Sequence, residues 1–363
     1  MGVRRWSPAR IRAVAGAAAA GAAVLGAVLL LLGPVSWLLA GDTVRGLRGK
    51  EQADALNAVR QTVLAAVGGT SVLLGAAYTA RTYRLSRRGQ VTDRYSTAIG
   101  QLASDKREER LGAVYGLEHV LAESPQDHAT VVGVLSAFVR ENARRPGDPP
   151  GPGEPWPDSP LPPWGTEPPA DVRAAVEVLA RRPAREEARR LDLRRTELAG
   201  LMLRKADFHH PPRLAGTFLT WSDLRRADLR GADLTDAILT GADLRHALLA
   251  GTDFTDALLA RADLRDAHLM GAVLRGADLT GAVLTGADLA EADLRDAALT
   301  GADLTGADLT GASLSGADFT GASLSGADLS GADLQEATGL TSVQVAQART
   351  DAATRPPGGL GAR

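Results

Sequence analysis

Gly301-Ala302-Asp303-Leu304-Thr305-Gly306-Ala307-Asp308-Leu309-Thr310 decides the fold of the C-terminal part of this chain. Every fifth residue is Leu, and Leu or Phe keeps that place from Leu214 to Leu334. A helix repeats near 3.6 residues and a strand at 2, so a strict period of five fits neither alone. It fits a short extended stretch followed by a corner. On such a stretch Ala302 and Leu304 face one way and Asp303 the other. Thr305 and Gly306 then make the turn, where Gly supplies the positive φ that tight corners often require. Repetition stacks the coils into a solenoid with Ala and Leu inside and Asp, Thr and Ser outside. A regular surface of that kind weighs against an enzyme.

The chain has 363 residues, room for two or three domains. Hydrophobic content is 45% but aromatics are only 4%, so Ala, Leu and Val must build the interior. The net charge of −2 and pI near 6.3 indicate neither nucleic-acid affinity nor an acidic tail. The balance is nevertheless uneven: Asp192 to Glu336 holds about ten more acids than bases. Absence of Cys excludes disulfides and thiolate metal sites. Scarce Lys beside abundant Arg, Ala, Gly and Pro points to a GC-rich bacterial genome.

Arg4, Arg5, Arg10 and Arg12 precede an uncharged run from Ala13 to Gly41, long enough to cross a hydrocarbon core of roughly 30 Å. A polar stretch from Asp42 to Arg60 follows, then a second uncharged run from Thr62 to Ala80. Arg81, Arg84, Arg87 and Arg88 come next. Two spans with basic outer flanks predict a membrane anchor over 1–88, with transmembrane helices at about 13–40 and 62–80 and both ends in the cytoplasm. Arg45, Arg48, Lys50 and Arg60 in the connection pull against that orientation. A signal peptide ending near Ala40 is disfavoured, because the apolar run is too long and a second span follows. The spacings Ala22/Gly26 and Ala65/Gly69 suit close helix approach, and they also arise by chance in an Ala-rich segment.

Residues 89–145 read as helical. Val91, Tyr95, Ala98 and Leu102 recur at helical spacing. Asp105 and Glu108 have capping-box spacing, and Ser124-Pro125-Gln126-Asp127 predicts a helix start. Val131, Val134, Leu135, Phe138 and Val139 mark a further amphipathic helix. Arg110 to Glu118 loosely resembles a HEAT-like helix. Residues 146–170 form a Pro-rich linker with Trp156, Trp164 and a P-x-x-P match at Pro157–Pro160. Asp171 to Arg182 predicts a short helix, within a capping segment 171–190, that covers the first open coil of the solenoid. The first inward set is Leu193, Leu198, Leu203 and Phe208, after which the register slips by one through His209-His210-Pro211-Pro212.

The A-D-L-x-x units resemble those of the pentapeptide repeat proteins, and the wider layout, including Gln90-Val91-Thr92-Asp93-Arg94-Tyr95, is similar to membrane-anchored actinobacterial members. The resemblance implies a right-handed quadrilateral β-helix over 191–337 with one unit per face. A two-helix transmembrane hairpin and a small all-α segment precede it, and 338–363 holds a C-terminal capping helix and tail. Thr341-Ser342-Val343-Gln344 has capping-box spacing for that helix. By analogy with the family it leaves a homodimer open.

With four units per coil, residues twenty apart stack about 4.8 Å apart. Asp223, Asp243 and Asp263 then form one outward column and Arg225, Arg245 and Arg265 a parallel one, a charged face read first as charge balancing and second as an anion site. Phe218, Ile238 and Leu258 take the outward place of Asp, with Trp221 beside them, and make an apolar ridge. Such a ridge is either a protein contact or a seat for the chain's own helices or linker. Asp296 to Glu336 carries no Lys or Arg around Asp303, Asp308, Asp318, Asp328 and Asp333, a charge density on the order of 0.7 per Å against DNA's one per ~1.7 Å. Some soluble members of the family act as DNA mimics against type II topoisomerases, so that role is the alternative here.

No Walker A, H-E-x-x-H, G-x-S-x-G or Rossmann signature is present. No catalytic residue, cofactor or metal is expected, and His209-His210 before Pro211-Pro212 reads as a kink. The expected function is a non-catalytic protein–protein interaction scaffold, multi-pass in the plasma (inner) membrane, with the N-terminus and repeat domain cytoplasmic. Its expected partners are the lipid bilayer and an unidentified protein, with nucleic acid disfavoured.

Overall fold

The computed structural model describes residues 23–144, 160–185, 187 and 189–358. The start of the first apolar run with its preceding arginines, the linker core at 146–159 with Trp156 and Pro157, and the last five residues of the tail lie outside the described residues. Contacts divide the chain into two units, Met1–Gly89 and Gln90–Arg363.

In the first unit, α1 (Ala23–Leu39) is interrupted by a π turn over Leu31–Val35. Pro34 inside that turn has no N–H to give, and the helix widens around it. The Leu32 carbonyl accepts instead from Ser36 Oγ and from Arg60 Nε, each at 2.8 Å. A helical turn, Gly41–Arg45, leads to α2, Lys50–Leu102. Residues 50–61, expected as a polar connection, are helical, and so is everything from 81 to 102. The charged flanks are good helix formers with no Pro among them, so nothing stops the helix where the apolar run stops. Lys50–Tyr83 is the one stretch among the described residues long and apolar enough to cross a membrane, with a mean hydropathy of 1.6 in its apolar window and none of that window buried.

In the second unit, the end of α2 and helices α3 (Arg107–Glu123), α4 (His128–Asn142) and α5 (Ala170–Arg181) share one core. Ala98 meets α3 at Gly116, where a Cβ would sit 3.7 Å away. Asp105 and Glu108 do not form the expected cap. Ser104 Oγ binds Glu109 at 2.6 Å and accepts from the Lys106 N–H, because the helix begins at Arg107. Likewise α4 starts after Asp127, whose carboxylate is taken by the Ser124 hydroxyl at 2.6 Å, so Ser124 pins a turn and does not cap the helix. The linker separates α5 from α3 and α4 in sequence, yet Arg110–Asp171 (2.6 Å) and Arg181–Glu118 (3.2 Å) tie it to α3.

The rest of the unit is a four-sided β-helix. Each rung is a parallel bridge between outward residues twenty apart, such as Asp243 with Asp263 and Ile238 with Leu258. Leu or Phe at the next position is buried in every coil, with Phe254 and Phe319 completely enclosed. The backbone of a unit with an outward Asp is fully provided for. In Gly306–Thr310, the Gly306 and Leu309 N–H groups donate to the following coil, Asp308 to the preceding coil and Ala307 to its own turn, while Thr310 N–H donates to the Asp308 carboxylate at 2.9 Å. Asp is thus the usual outward residue because its side chain accepts the one N–H that the ladder leaves over.

The first coil is longer. Asp192 pairs with Phe218, twenty-six residues on, whereas Arg213 pairs with Asp233, twenty on. The excess loops out near a 3-10 turn at Lys205–Asp207. Phe208 therefore does not complete the first inward set; Leu214 takes the fourth face and Phe208 packs from the side. Helices close the open edge: Ala143 O accepts from Glu197 N (2.5 Å), Ala180 O from Arg213 N (3.0 Å), and Ser136 Oγ donates to Asp192 O (2.5 Å). At the far end α6 (Ser342–Gln347) carries the capping box of Thr341 and Gln344, and the Gln344 amide covers the carbonyls of Phe319 and Ala322. Arg349 and Arg355 then add the last rungs.

From Gly216 to Glu336 the corners have positive φ, and at Gly241 (φ +63) a methyl group would also strike the Trp221 ring, which lies across it toward Arg261. Gly301 (φ +65) has open space around it. Gly241→Ala and Gly301→Ala should each cost about 1–2 kcal/mol for the left-handed backbone, with Gly241→Ala lowering thermal stability further. That excess should vanish when both are made in a Trp221→Ala background, as read by a double-mutant cycle.

Candidate interaction surface

The charged face is not the exposed ladder that spacing alone suggests. Asp223, Asp243 and Asp263 are 1%, 0% and 3% exposed, and Arg225 and Arg245 are buried with them. Each Arg forks onto the Asp two residues before it: Arg225 Nε to Asp223 at 2.9 Å, Arg245 Nε and Nη2 to Asp243 at 2.9 Å, Arg265 Nη2 to Asp263 at 2.7 Å. Each of the first two also reaches the next coil, Arg225 to Asp243 at 3.5 Å and Arg245 to Asp263 at 3.6 Å. These forks raise the Arg225 and Arg245 pKa still further, against the opposing pull of burial. The described end of the linker straps this face. Arg225 Nη1 donates to Pro160 O at 2.9 Å, Arg226 donates to Pro162 O, and its guanidinium stacks 4.2 Å from the Trp164 ring. Gly200 admits the strap, since any Cβ there would collide with Thr166 O.

The apolar ridge divides. Phe218, Ile238 and Leu258 do stack on successive rungs. Phe218 and Ile238 are half-buried, and Leu258 is 42% exposed. Trp221 does not extend the ridge, because it sits at a corner and turns over Gly241. Phe218 forms the floor of an open groove of about 910 Å³ between α4 and the first coil. The helix contributes Ala129, Gly133 and Ala137, and Arg189 and Arg190 line the other side. Arg190 and Arg194 stack over the Phe218 ring at 5.8 and 5.4 Å. Arg194 also forks onto Asp192 (2.8 Å), lowering the Asp192 pKa, and Arg182 does the same for Glu187 against the upward pull of burial. Nothing in the periodic pattern signals this groove, since α4 and the coil are dozens of residues apart.

The acidic coils spend their carboxylates on their own turns. Asp318 is held below the ordinary aspartate range by the Thr320 hydroxyl and N–H and by Thr300, and Asp328 by Ser330 with Arg349 beyond it. Burial pushes Asp303 up, but bonds from Thr305 and Thr285 outweigh it and the net shift is downward. Asp308 accepts from Thr310 and Asp333 from the Gln335 N–H. The tail also brings cations to this end, Arg349 to Asp328 at 3.3 Å and Arg355 to Asp333 at 3.5 Å. Among the described residues no three His, Asp or Glu side chains converge as metal ligands. His210 Nδ1 lies 2.9 Å from Pro211 O.

Similarity to known proteins lies along the rod. The family model described as Pentapeptide repeats matches in eight copies over residues 213–241, 237–276, 267–306, 277–316 and 302–338. HetL, a pentapeptide repeat protein involved in heterocyst differentiation regulation in the cyanobacterium Nostoc sp. strain PCC 7120, is 35% identical over 40% of this chain and 77% of its own, with a TM-score of 0.31. QnrB1, a plasmid-mediated fluoroquinolone resistance protein, is 24% identical over 44% of this chain and 75% of its own, with a TM-score of 0.21. Rfr23 from the cyanobacterium Cyanothece 51142 is 22% identical over 44% of this chain and 90% of its own, with a TM-score of 0.21. None of the curated proteins compared with the chain matches it.

Asp243 serves two buried arginines, so Asp243→Ala should cost about 3–5 kcal/mol, as expected for one partner removed from a buried pair. Replacing Asp243 and Arg245 together by Leu should cost less than the single change, measured by denaturant unfolding. Acid should weaken the rod. The aspartates with lowered pKa contribute fully above their unfolded value near 3.8 and lose that contribution as pH falls through their folded values. Glu177, pushed up by burial, acts in the opposite sense. The melting temperature of the detergent-solubilised chain should hold from pH 7 to about 5 and fall below about 4; a rise on acidification would contradict the assignment.

Proposed function

The chain belongs to the pentapeptide repeat family, whose repeats imply a right-handed quadrilateral β-helix, and on that premise we propose that it is a non-catalytic interaction scaffold anchored in the plasma membrane. The observation that carries the anchor is α2, whose 34-residue stretch Lys50–Tyr83 contains an apolar window with no buried residue. A helix that apolar and that bare finds its natural solvent in a bilayer. The uncharged run before it, with its Pro-widened turn sealed by Ser36 and Arg60, supplies the second span, and Arg81, Arg84, Arg87 and Arg88 hold the following domain in the cytoplasm. The rod presents columns of side chains on flat faces, a form suited to contact with another protein. Its protein contact is the apolar column of Phe218, Ile238 and Leu258.

Mimicry of DNA toward a topoisomerase fits the acid-rich stretch from Asp296 to Glu336. Arg349 and Arg355 at its end and the engagement of its carboxylates with their own turns weigh against it.

The full chain should stay in the membrane pellet through alkaline carbonate extraction. Leu29→Arg with Leu30→Arg in the first span, combined with Leu73→Arg and Leu74→Arg in the second, each costing about 2.5–3.5 kcal/mol at a span centre, should move most of it to the supernatant. A wild-type chain recovered in the supernatant would refute the anchor.

A further inference from the structure

We propose that the groove between α4 and the first coil docks an acidic amphipathic helix of a partner protein; this deepens the scaffold reading and rests on it. The helical form follows from the groove wall. Ala129, Gly133 and Ala137 lie four residues apart on one face of α4, all of them small and none buried. Such a row lets a second helix approach closely, ridge to groove. A Cβ at Gly133 would meet nothing within 4 Å, so the space in front of it is open. The 15 residues of α4 set the matching length, about 22 Å.

The polarity of the occupant follows from the floor and rim. Phe218 offers an apolar floor, flanked by Val134. Arg189 and Arg190 are exposed along the rim, with Arg194 beside them. Among the described residues the two acids that line the groove are already engaged, Asp192 by Arg194 and Arg140, and Glu187 by Arg182 and His128. The outward charge of those described residues is therefore basic. A helix with Leu or Ile on one face and Glu or Asp on its flanks complements both floor and rim.

The test uses the full chain in detergent micelles and a fluorescein-labelled 15-residue helical peptide with Leu on one face and Glu elsewhere, its length matched to α4, beside its Lys-for-Glu counterpart. Fluorescence anisotropy should show the acidic peptide binding at least tenfold more tightly than the basic one. Gly133→Trp, which fills the groove from an exposed position, should weaken binding tenfold or more. Arg189→Glu with Arg190→Glu should do the same, and both variants should keep the wild-type melting temperature. Equal binding of both peptides, no binding of either, or indifference to both variants would overturn the groove assignment. A concentration-dependent dimer of the wild-type chain that Gly133→Trp abolishes would overturn it too, and would make the groove a self-contact. Carbonate extraction is read separately: a membrane-bound chain that ignores the acidic peptide loses the groove and keeps the anchor, and a soluble chain that binds it does the reverse.

Discussion

The rod depends on the backbone hydrogen bonds between its coils. Coils stacked about 4.8 Å apart satisfy the N–H groups of a five-residue unit, save one, through neighbouring coils and their own turns. The remaining N–H turns toward the side chain two residues back, and Asp is the residue that accepts it, as Asp308 does from Thr310. That constraint explains why a chain rich in Asp needs no catalytic reason for it. It also explains the aromatic poverty: a square interior of fixed width, filled by one Leu and one Ala per face, leaves place for Phe254 and Phe319 and for little that is larger.

The individuality of this rod comes from the segments laid against it. Helices α4 and α5 close its first edge, where the Ala143 and Ala180 carbonyls accept main-chain bonds, and the Pro-rich strap lies over the Arg225 and Arg226 side chains. Covering a charged column changes its energetics. An exposed ion pair contributes about 0–1 kcal/mol, whereas a buried one holds its partners by necessity, because either alone would be a stranded charge. The interlocked forks of Asp223, Arg225, Asp243 and Arg245 meet that requirement by reaching both along the coil and across to the next one.

The five-residue rhythm is sufficient to read the solenoid, its inward leucines and the closing Thr341–Gln344 box, since each is a local property of the chain. The features that spacing misplaces share a cause. Phe208 keeps the rhythm but not the rung, because the first coil is lengthened and a looped-out segment can preserve local spacing while losing register. Spacing makes the Arg225 end of the charged face look exposed because the strap that lies over it is some sixty residues away in sequence. Proximity groups Trp221 with Phe218, although its corner geometry turns it elsewhere. Helix ends mislead where Ser104 and Ser124 bind acids in a turn, a role that shares its spacing with a cap. The groove beside Phe218 has no sequence signature at all, because its two walls meet only after the helices have docked.

A square section also governs how such a chain can change over generations. Loss of one full coil from the middle would shorten the rod by one storey and leave all four façades as they were. Loss of a single repeat unit would keep every leucine indoors yet move all downstream decoration a quarter turn, carrying the column of Phe218, Ile238 and Leu258 out of line with the storeys beyond the cut. The same interior thus tolerates many exteriors, and the looped excess before Arg213 marks one irregular piece of length already absorbed without disturbing the storeys above.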